Sequence, residues 1–144
     1  MDDTCLFCRI VSGEVPAAIV YQDEHAMAFL DHRPLFPGHT LLVPRDHVET
    51  LIDLPQTLVG PFFEAAQSLA RAVELAMEAE GSFVAMNNRV SQSVPHLHVH
   101  IVPRRRKDGL KGFFWPRTKY KDDEEMKIVQ RKIAISLKIK QTKI

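Results

Sequence analysis

Through residues 96–101 histidine and branched apolar residues alternate without a break: His96-Leu97-His98-Val99-His100-Ile101. A period of two is that of an extended strand, so the three imidazoles share one face and Leu97, Val99 and Ile101 share the other. The apolar face has to enter a core, which leaves the histidine face to meet solvent, a ligand or a metal. One histidine so placed is usually structural. Three in register are not explained by packing, because His fills space poorly and each neutral ring needs partners for both nitrogens.

The remaining sequence predicts the sheet this strand needs. Residues 4–12 read as a short helix closed by Gly13, and Val15-Pro16 then drives the chain into extended conformation. Short apolar runs at 18–21, 25–30 and 40–43 predict a meander of antiparallel strands, with a turn-rich loop at 31–38. Over residues 58–80 apolar positions recur three and four apart, predicting a long amphipathic helix closed by Gly81. Pro61 is placed in its first turn, so the regular part is expected to begin there and not at Gln56. Strands at 82–87 and 97–102 complete the sheet, and 122–140 reads as a C-terminal helix opened by an Asp122-x-x-Glu125 capping box. The expected fold class is α+β: a five-stranded antiparallel, meander-type sheet with one long helix, a short N-terminal helix and a C-terminal helix.

A chain of 144 residues has room for one domain with a real core. Its net charge of +1 gives no general pull toward nucleic acid or anionic membrane, although lysine and arginine crowd residues 104–143. No apolar run approaches the ~20 residues of a membrane-spanning helix, and Met1-Asp2-Asp3 lacks the basic start of a signal peptide, so a cytoplasmic location is expected. In that reducing setting the pair Cys5-x-x-Cys8 points to metal or redox work before a structural disulfide.

Two chemical readings of the histidine strand are open. His96, His98 and His100 could bind a catalytic zinc, or one of them could be a nucleophile attended by the others. The surroundings favour the nucleophile: Asn88, Gln92 and Ser93 lie upstream with donors suited to phosphate oxygens, and no carboxylate nearby is placed to orient zinc-bound histidines.

The strand resembles the H-φ-H-φ-H-φ-φ signature of the histidine triad (HIT) family, preceded by its usual Gln92-Ser93-Val94. The likeness extends to Cys5-Leu6-Phe7-Cys8-Arg9-Ile10-Val11, to Ala28-Phe29-Leu30-Asp31 and to Pro37-Gly38-His39-Thr40-Leu41-Leu42-Val43-Pro44. It implies one domain over 1–144, with a family core at about 5–103 and a basic extension with a helix at 104–144. It also implies a homodimer, and attack by the middle histidine on the α-phosphorus of a nucleotide carrying an AMP or GMP moiety. On that resemblance His98 is the nucleophile, His100 and His39 are hydrogen-bonding members of the cluster, and Ser93 and Gln92 contact phosphate or leaving group, with Asn88 beside them. Asp31 would bind the ribose hydroxyls, and Leu6, Phe7, Ile10 and Phe29 would flank the base, although ordinary core packing explains these four apolar residues equally well.

The implied activity is hydrolysis or transfer on nucleoside 5′-phosphoramidates and related nucleotidyl compounds, with no metal needed for that step. Dinucleoside polyphosphates are the alternative within the same chemistry, and a nucleotide-binding adaptor is the alternative from another class. Members with the cysteine pair, and the related galactose-1-phosphate uridylyltransferases, imply a structural zinc on Cys5, Cys8, His47 and His96. The sequence departs from the family at Asn88-Arg89-Val90-Ser91, where members commonly carry glycines, so a stiffer loop is expected there. Arg104-Arg105-Arg106-Lys107 reads either as solvated surface or as a receiver of outer phosphates. Gly112-Phe113-Phe114-Trp115-Pro116 reads as a cover for the site or a partner subunit, and adjacent aromatics are a poor platform for nucleic acid.

Overall fold

The alternating stretch does feed a strand, and that strand runs through the interior of the sheet. In the computed structural model, which describes residues 4–110 and 116–138, the strands are β1 (Ile19–Gln22), β2 (Ala26–Leu30), β3 (Thr40–Pro44), β4 (Gly81–Ala85) and β5 (Val99–Arg104). Their spatial order is β1-β2-β3-β5-β4, and every pair is antiparallel. The first three form the expected meander. Helix α2 (Gln56–Ala76) then carries the chain to the far edge for β4, and β5 returns between β4 and β3, with His100 opposite both Leu41 and Ala85.

Alternation in β2, β3 and β5 sends neighbouring residues to opposite sides of this sheet. Ala26, Ala28, Leu42, Val99 and Ile101, with Leu97 just before β5, pack against Phe62, Ala65, Ala66, Leu69 and Val73 of α2. Met27, Phe29, Leu41 and Val43 face the other way and pack against helix α1 (Leu6–Val11), through Phe7, Cys8 and Ile10. Each such buried branched or aromatic side chain contributes roughly 1.5–3 kcal/mol. The two covers are unequal, since α2 has 21 residues and α1 only six. What α1 leaves open on its side of the sheet is where the histidines lie.

Several boundaries differ from the sequence reading. Helix α2 begins at Gln56 and keeps Pro61 inside it. The ring costs the bond that the Thr57 carbonyl would accept, but Thr57 and Pro61 are both exposed and water can replace it. The helix also ends at Ala76, short of Gly81. Glu78 takes the left-handed conformation at φ +51°, and the amide of Ala79 reaches back to the Glu74 carbonyl at 2.9 Å, a Schellman-type ending built without glycine. Gly81 instead opens β4. β5 starts at Val99, so His96 and His98 precede it, and the Leu97 amide donates to the Val48 carbonyl at 2.7 Å.

Residues 1–108 and 109–144 form two compact units. The first extends past the expected core boundary at 103 because Arg104, ending β5, is closed by Asp108 at 2.6 and 3.0 Å. The second contains α3 (Asp123–Lys138), whose first turn is capped when Asp122 accepts from the Glu125 amide. The Glu125 carboxylate accepts from the Lys121 amide and not from that of Asp122, so the expected capping box is displaced by one residue. The Gly112-Phe113-Phe114-Trp115 cluster lies outside the described residues. Among the described residues no helix is long and apolar enough to cross a membrane.

Gly38 sets the entry into β3 and the position of His39. Its φ is +95°, and a Cβ there would lie 2.6 Å from Cγ of Met77 and 3.0 Å from its Sδ. Met77 can swing aside, but the left-handed backbone keeps its strain. Gly38→Ala is therefore expected to lower the unfolding free energy by roughly 1–2 kcal/mol in denaturant titration. An unchanged midpoint and slope would contradict this.

Candidate active site and metal centre

On the side of the sheet that α1 covers only in part, each imidazole has one nitrogen fixed by a neighbour. Nδ1 of His98 lies 2.7 Å from the carbonyl of His96, an acceptor only, so this nitrogen carries the proton and Nε2 keeps a free lone pair. Nδ1 of His39 accepts from the Leu35 amide at 3.1 Å, which makes Nε2 of His39 the donor to Nδ1 of His100 at 2.9 Å. His100 thereby retains its own N–H at Nε2. The rings of His98 and His100 meet edge to face with centroids 5.0 Å apart, and Phe7 abuts His98 in the same manner at 5.1 Å.

Burial favours the neutral form of His100 and His39. Desolvation, and then the proximity of His98 and His39, push His100 down to about 4 from an ordinary 6.5. Desolvation also lowers His39, against the pull of Asp31. The Asp31 carboxylate stands between two groups: Oδ2 is 3.8 Å from Nε2 of His39, while Oδ1 accepts the Arg33 amide at 2.9 Å and lies 4.0 Å from Nδ1 of His32.

A pocket of about 390 Å³ opens beside these groups. Its lining combines the polar side chains of His98, His100, Ser93, Asp31 and His32 with Leu6, Phe7, Ile10, Phe29 and further apolar side chains. The size and the division between apolar wall and few polar groups suit a small organic ligand with one charged end.

Behind Phe7 a second cluster gathers Cys5, Cys8, His47 and His96, whose ligand atoms all lie within 4.8 Å of one another. The separations from sulfur to Nδ1 are 3.4 Å for Cys5–His96, 3.5 Å for Cys8–His96 and 3.2 Å for Cys8–His47. Thiolate and imidazole around one tetrahedral ion would stand about 3.5 Å apart. Nε2 of His96 is 2.8 Å from the Pro44 carbonyl, so its proton sits there and the Nδ1 lone pair faces the sulfurs. The four residues therefore fit a metal ion, in a closed donor set. A second group, Asp31, His39 and His100, also brings candidate ligand atoms together. There the Leu35 amide holds the proton on Nε2 of His39, which suits hydrogen bonding better than ligation. Among the described residues His96, His98 and His100 do not form such a cluster, which tells against a catalytic zinc on the three.

Of the residues singled out in the sequence, His98, His100, Ser93, Asp31, Leu6, Phe7, Ile10 and Phe29 line the pocket, and His39 is buried directly behind His100. Gln92 and Asn88 are not among the lining side chains. Gln92 bridges the Arg89 amide to the Glu49 carbonyl, and Asn88 accepts from the Leu51 amide, so both hold the loop that presents Ser93. In that loop Arg89 and Ser91 adopt φ of +69° and +60°, the glycine-like conformations that their identities resist. The basic run is tied down: Arg104 by Asp108, Arg105 by the Met77 carbonyl and Arg106 by Glu80. Sequence reasoning missed Val15, Pro16, Ala17, Leu30, Leu41, Val94 and His32, which also line the pocket. Strand alternation from Phe29 and Asp31 would have pointed elsewhere, because the chain turns at His32.

The HIT domain model matches residues 12–107, and the chain belongs to that family, whose members are generally hydrolases or nucleotidyl transferases. Protein hit of Bacillus subtilis is 39% identical over 78% of this chain and 79% of its own length. Adenosine 5′-monophosphoramidase of Saccharomyces cerevisiae is 34% identical over 76% of this chain and 69% of its own. A solved HIT family member from Bacillus subtilis is 35% identical, with a TM-score of 0.84 over 92% of this chain and 96% of that one. A zinc-bound histidine triad family protein from Mycobacterium smegmatis is 34% identical, with a TM-score of 0.71 over 95% and 98%.

The depressed His100 pKa makes stability pH-dependent. The folded protein holds this ring neutral down to about pH 4, whereas the unfolded chain takes up the proton near 6.5. Its contribution is thus complete above 6.5 and lost progressively toward 4. Urea unfolding should show stability falling over that window, with a shallower fall in His100→Gln. Identical slopes in the two proteins would exclude His100 as a source.

Proposed function

We propose that this protein is a nucleotide hydrolase or transferase acting at the α-phosphorus of nucleoside 5′-phosphoramidates or related nucleotidyl compounds, with His98 as nucleophile. The observation that carries the reading is the contact from Nδ1 of His98 to the His96 carbonyl, which leaves Nε2 with a lone pair on a ring that lines a pocket of about 390 Å³. In the first step that lone pair forms a bond to phosphorus while the bond to the leaving amine breaks, and the amine departs with a proton. In the second, water attacks phosphorus, the electron pair of the N–P bond returns to Nε2, and water gives up the proton that balances the first. His100, oriented by His39, offers its Nε2–H to oxygens that gain charge, and the Ser93 hydroxyl offers another donor. Gln92 and Asn88 act through the loop. Asp31 accepts from the ribose hydroxyls, and Leu6, Phe7, Ile10 and Phe29 receive the base.

The tetrad of Cys5, Cys8, His47 and His96 is assigned to zinc, supported by its two-sulfur, two-nitrogen donor set and by the zinc-bound relative. With all four positions filled by protein the ion would anchor α1 to the sheet and take no part in the chemistry. The residues expected to pair two subunits are not described, and the homodimer remains part of this proposal on family likeness alone.

Two outcomes test these assignments. His98→Ala should reduce turnover of adenosine 5′-phosphoramidate by three orders of magnitude or more, on the scale of removing a nucleophile. AMP affinity should stay within about ten-fold, since the ring contributes to the transition state more than to the ground state. Near-normal turnover in this variant would sink the nucleophile assignment. Separately, atomic absorption should find about one zinc per chain, lost together with thermal stability in Cys5→Ser/Cys8→Ser. A metal-free native protein of full stability would refute the tetrad.

A further inference from the structure

Cys5 and Cys8 are the only two cysteines of the chain, and the reading above uses them solely as donors to an ion. Both are buried and neither is in a disulfide. Their placement also suits them to each other. Cys5 stands just outside α1 with ψ of 118°, so its side chain folds back over the first turn, where Sγ accepts from the Cys8 amide at 3.4 Å. The two sulfurs lie within 4.8 Å of one another. With only Leu6 and Phe7 between them, rotation about the two Cα–Cβ bonds can bring the sulfurs to the ~2 Å of a disulfide.

The tetrad is not equally closed on all sides. Cys5, Cys8 and His96 are buried, whereas His47 is only partly so. A cavity of about 580 Å³ is lined by His47 together with Val11, Glu24, Arg45 and Asp46. Nδ1 of His47 is 3.2 Å from Sγ of Cys8. A small polar oxidant in that cavity therefore reaches Cys8 past a single ring.

We propose that Cys5 and Cys8 are a peroxide-oxidised pair, whose disulfide removes both sulfur donors from the tetrad and unties α1 from the sheet. This rests on the assignment of the tetrad to zinc. In the first step the Cys8 sulfur forms a bond to one peroxide oxygen as the O–O bond breaks, and the other oxygen leaves as hydroxide. The Cys5 sulfur then attacks the Cys8 sulfur; the S–S bond forms as the S–O bond breaks, and a second hydroxide leaves. Two solvent protons convert the hydroxides to water, so two thiolates lose two electrons and one peroxide becomes two waters. A disulfide sulfur is no longer a thiolate, and His47 and His96 alone do not close a tetrahedron. Phe7 and Ile10 keep their apolar neighbours Met27, Phe29, Leu41 and Val43, so α1 loosens while the sheet stays folded. Because Leu6, Phe7 and Ile10 line the pocket, that loosening reaches the nucleotide site proposed above.

The experiment treats the zinc-loaded full-length protein with hydrogen peroxide. Released zinc is read with a chromogenic chelator, the Cys5–Cys8 bond by mass spectrometry of unreduced peptides, and α1 by amide hydrogen exchange. About one zinc should leave per disulfide formed, before the exposed Met126 gains an oxygen, and a dithiol reductant with added zinc should reverse both changes. Amides of residues 6–11 should exchange roughly ten-fold faster after oxidation, and those of β5 by a much smaller factor. AMP affinity measured by calorimetry should fall roughly ten-fold. Zinc retained once the disulfide has formed overturns the proposal, and so does release that accompanies sulfinic or sulfonic acids in place of the disulfide. Equal acceleration in α1 and β5 also overturns it, since that is general unfolding. Unchanged AMP affinity after zinc is lost refutes the link to the pocket. A native protein that binds no zinc removes the tetrad assignment and this proposal with it. If the reduced protein holds zinc but binds no AMP, the nucleotide reading fails, while zinc release, the disulfide and exchange in α1 still decide for or against the oxidised pair.

Discussion

The register of β5 is the constraint on which the site depends. Leu97, Val99 and Ile101 are completely buried under α2, and a slip of one residue would exchange them for His96, His98 and His100. Three branched side chains would then meet the pocket and three imidazoles would enter a hydrocarbon core, at a cost of several kcal/mol for unpaired polar groups. The hydrophobic effect thus enforces the placement of the chemistry without touching it. Pairing on both sides makes the constraint stronger, since β5 is held by β3 and β4 together.

A second layer of order lies in the tautomers. Each of the buried rings has one nitrogen held by a backbone partner: the carbonyls of His96 and Pro44 accept from His98 and His96, and the amide of Leu35 donates to His39. Backbone groups cannot titrate in this range, so they choose which nitrogen is basic. Burial does the rest by keeping His96 and His100 neutral, each with a pKa near 4. Neutral imidazoles are what a nucleophile and a metal ligand both require.

Much of this was legible in the sequence because it is periodic. The alternation at 96–101, the helical spacing after Leu58 and the pair Cys5-x-x-Cys8 each announce a local geometry. Where the reading failed, geometry came from tertiary context. Glu78 takes a left-handed turn that glycine would signal, and Pro61 survives inside α2 because its neighbourhood is wet. Gln92 and Asn88 look like phosphate donors by composition; the fold adds contacts about forty residues back in the chain, Gln92 donating to the Glu49 carbonyl and Asn88 accepting from the Leu51 amide, which local sequence does not announce. The convergence of His47 and His96 on the two sulfurs needed the family resemblance, since no local pattern joins positions 49 residues apart.

Helix α1 is only six residues long, too short to persist alone in water. Cys5, which caps it, and Cys8 belong to the tetrad, while Leu6, Phe7 and Ile10 line the pocket. The Phe7 ring touches His96 on one side and His98 on the other, with centroids 5.9 and 5.1 Å away. An ion held by the sulfurs and a heterocycle resting on the wall would therefore order the same turn and a half of backbone. On the function proposed above, whichever arrived first would meet the entropic cost of that ordering, and the two binding events would be linked with equal strength in both directions. In such an arrangement the supply of a metal would become a determinant of nucleotide affinity, although ion and nucleotide would share no ligand atom.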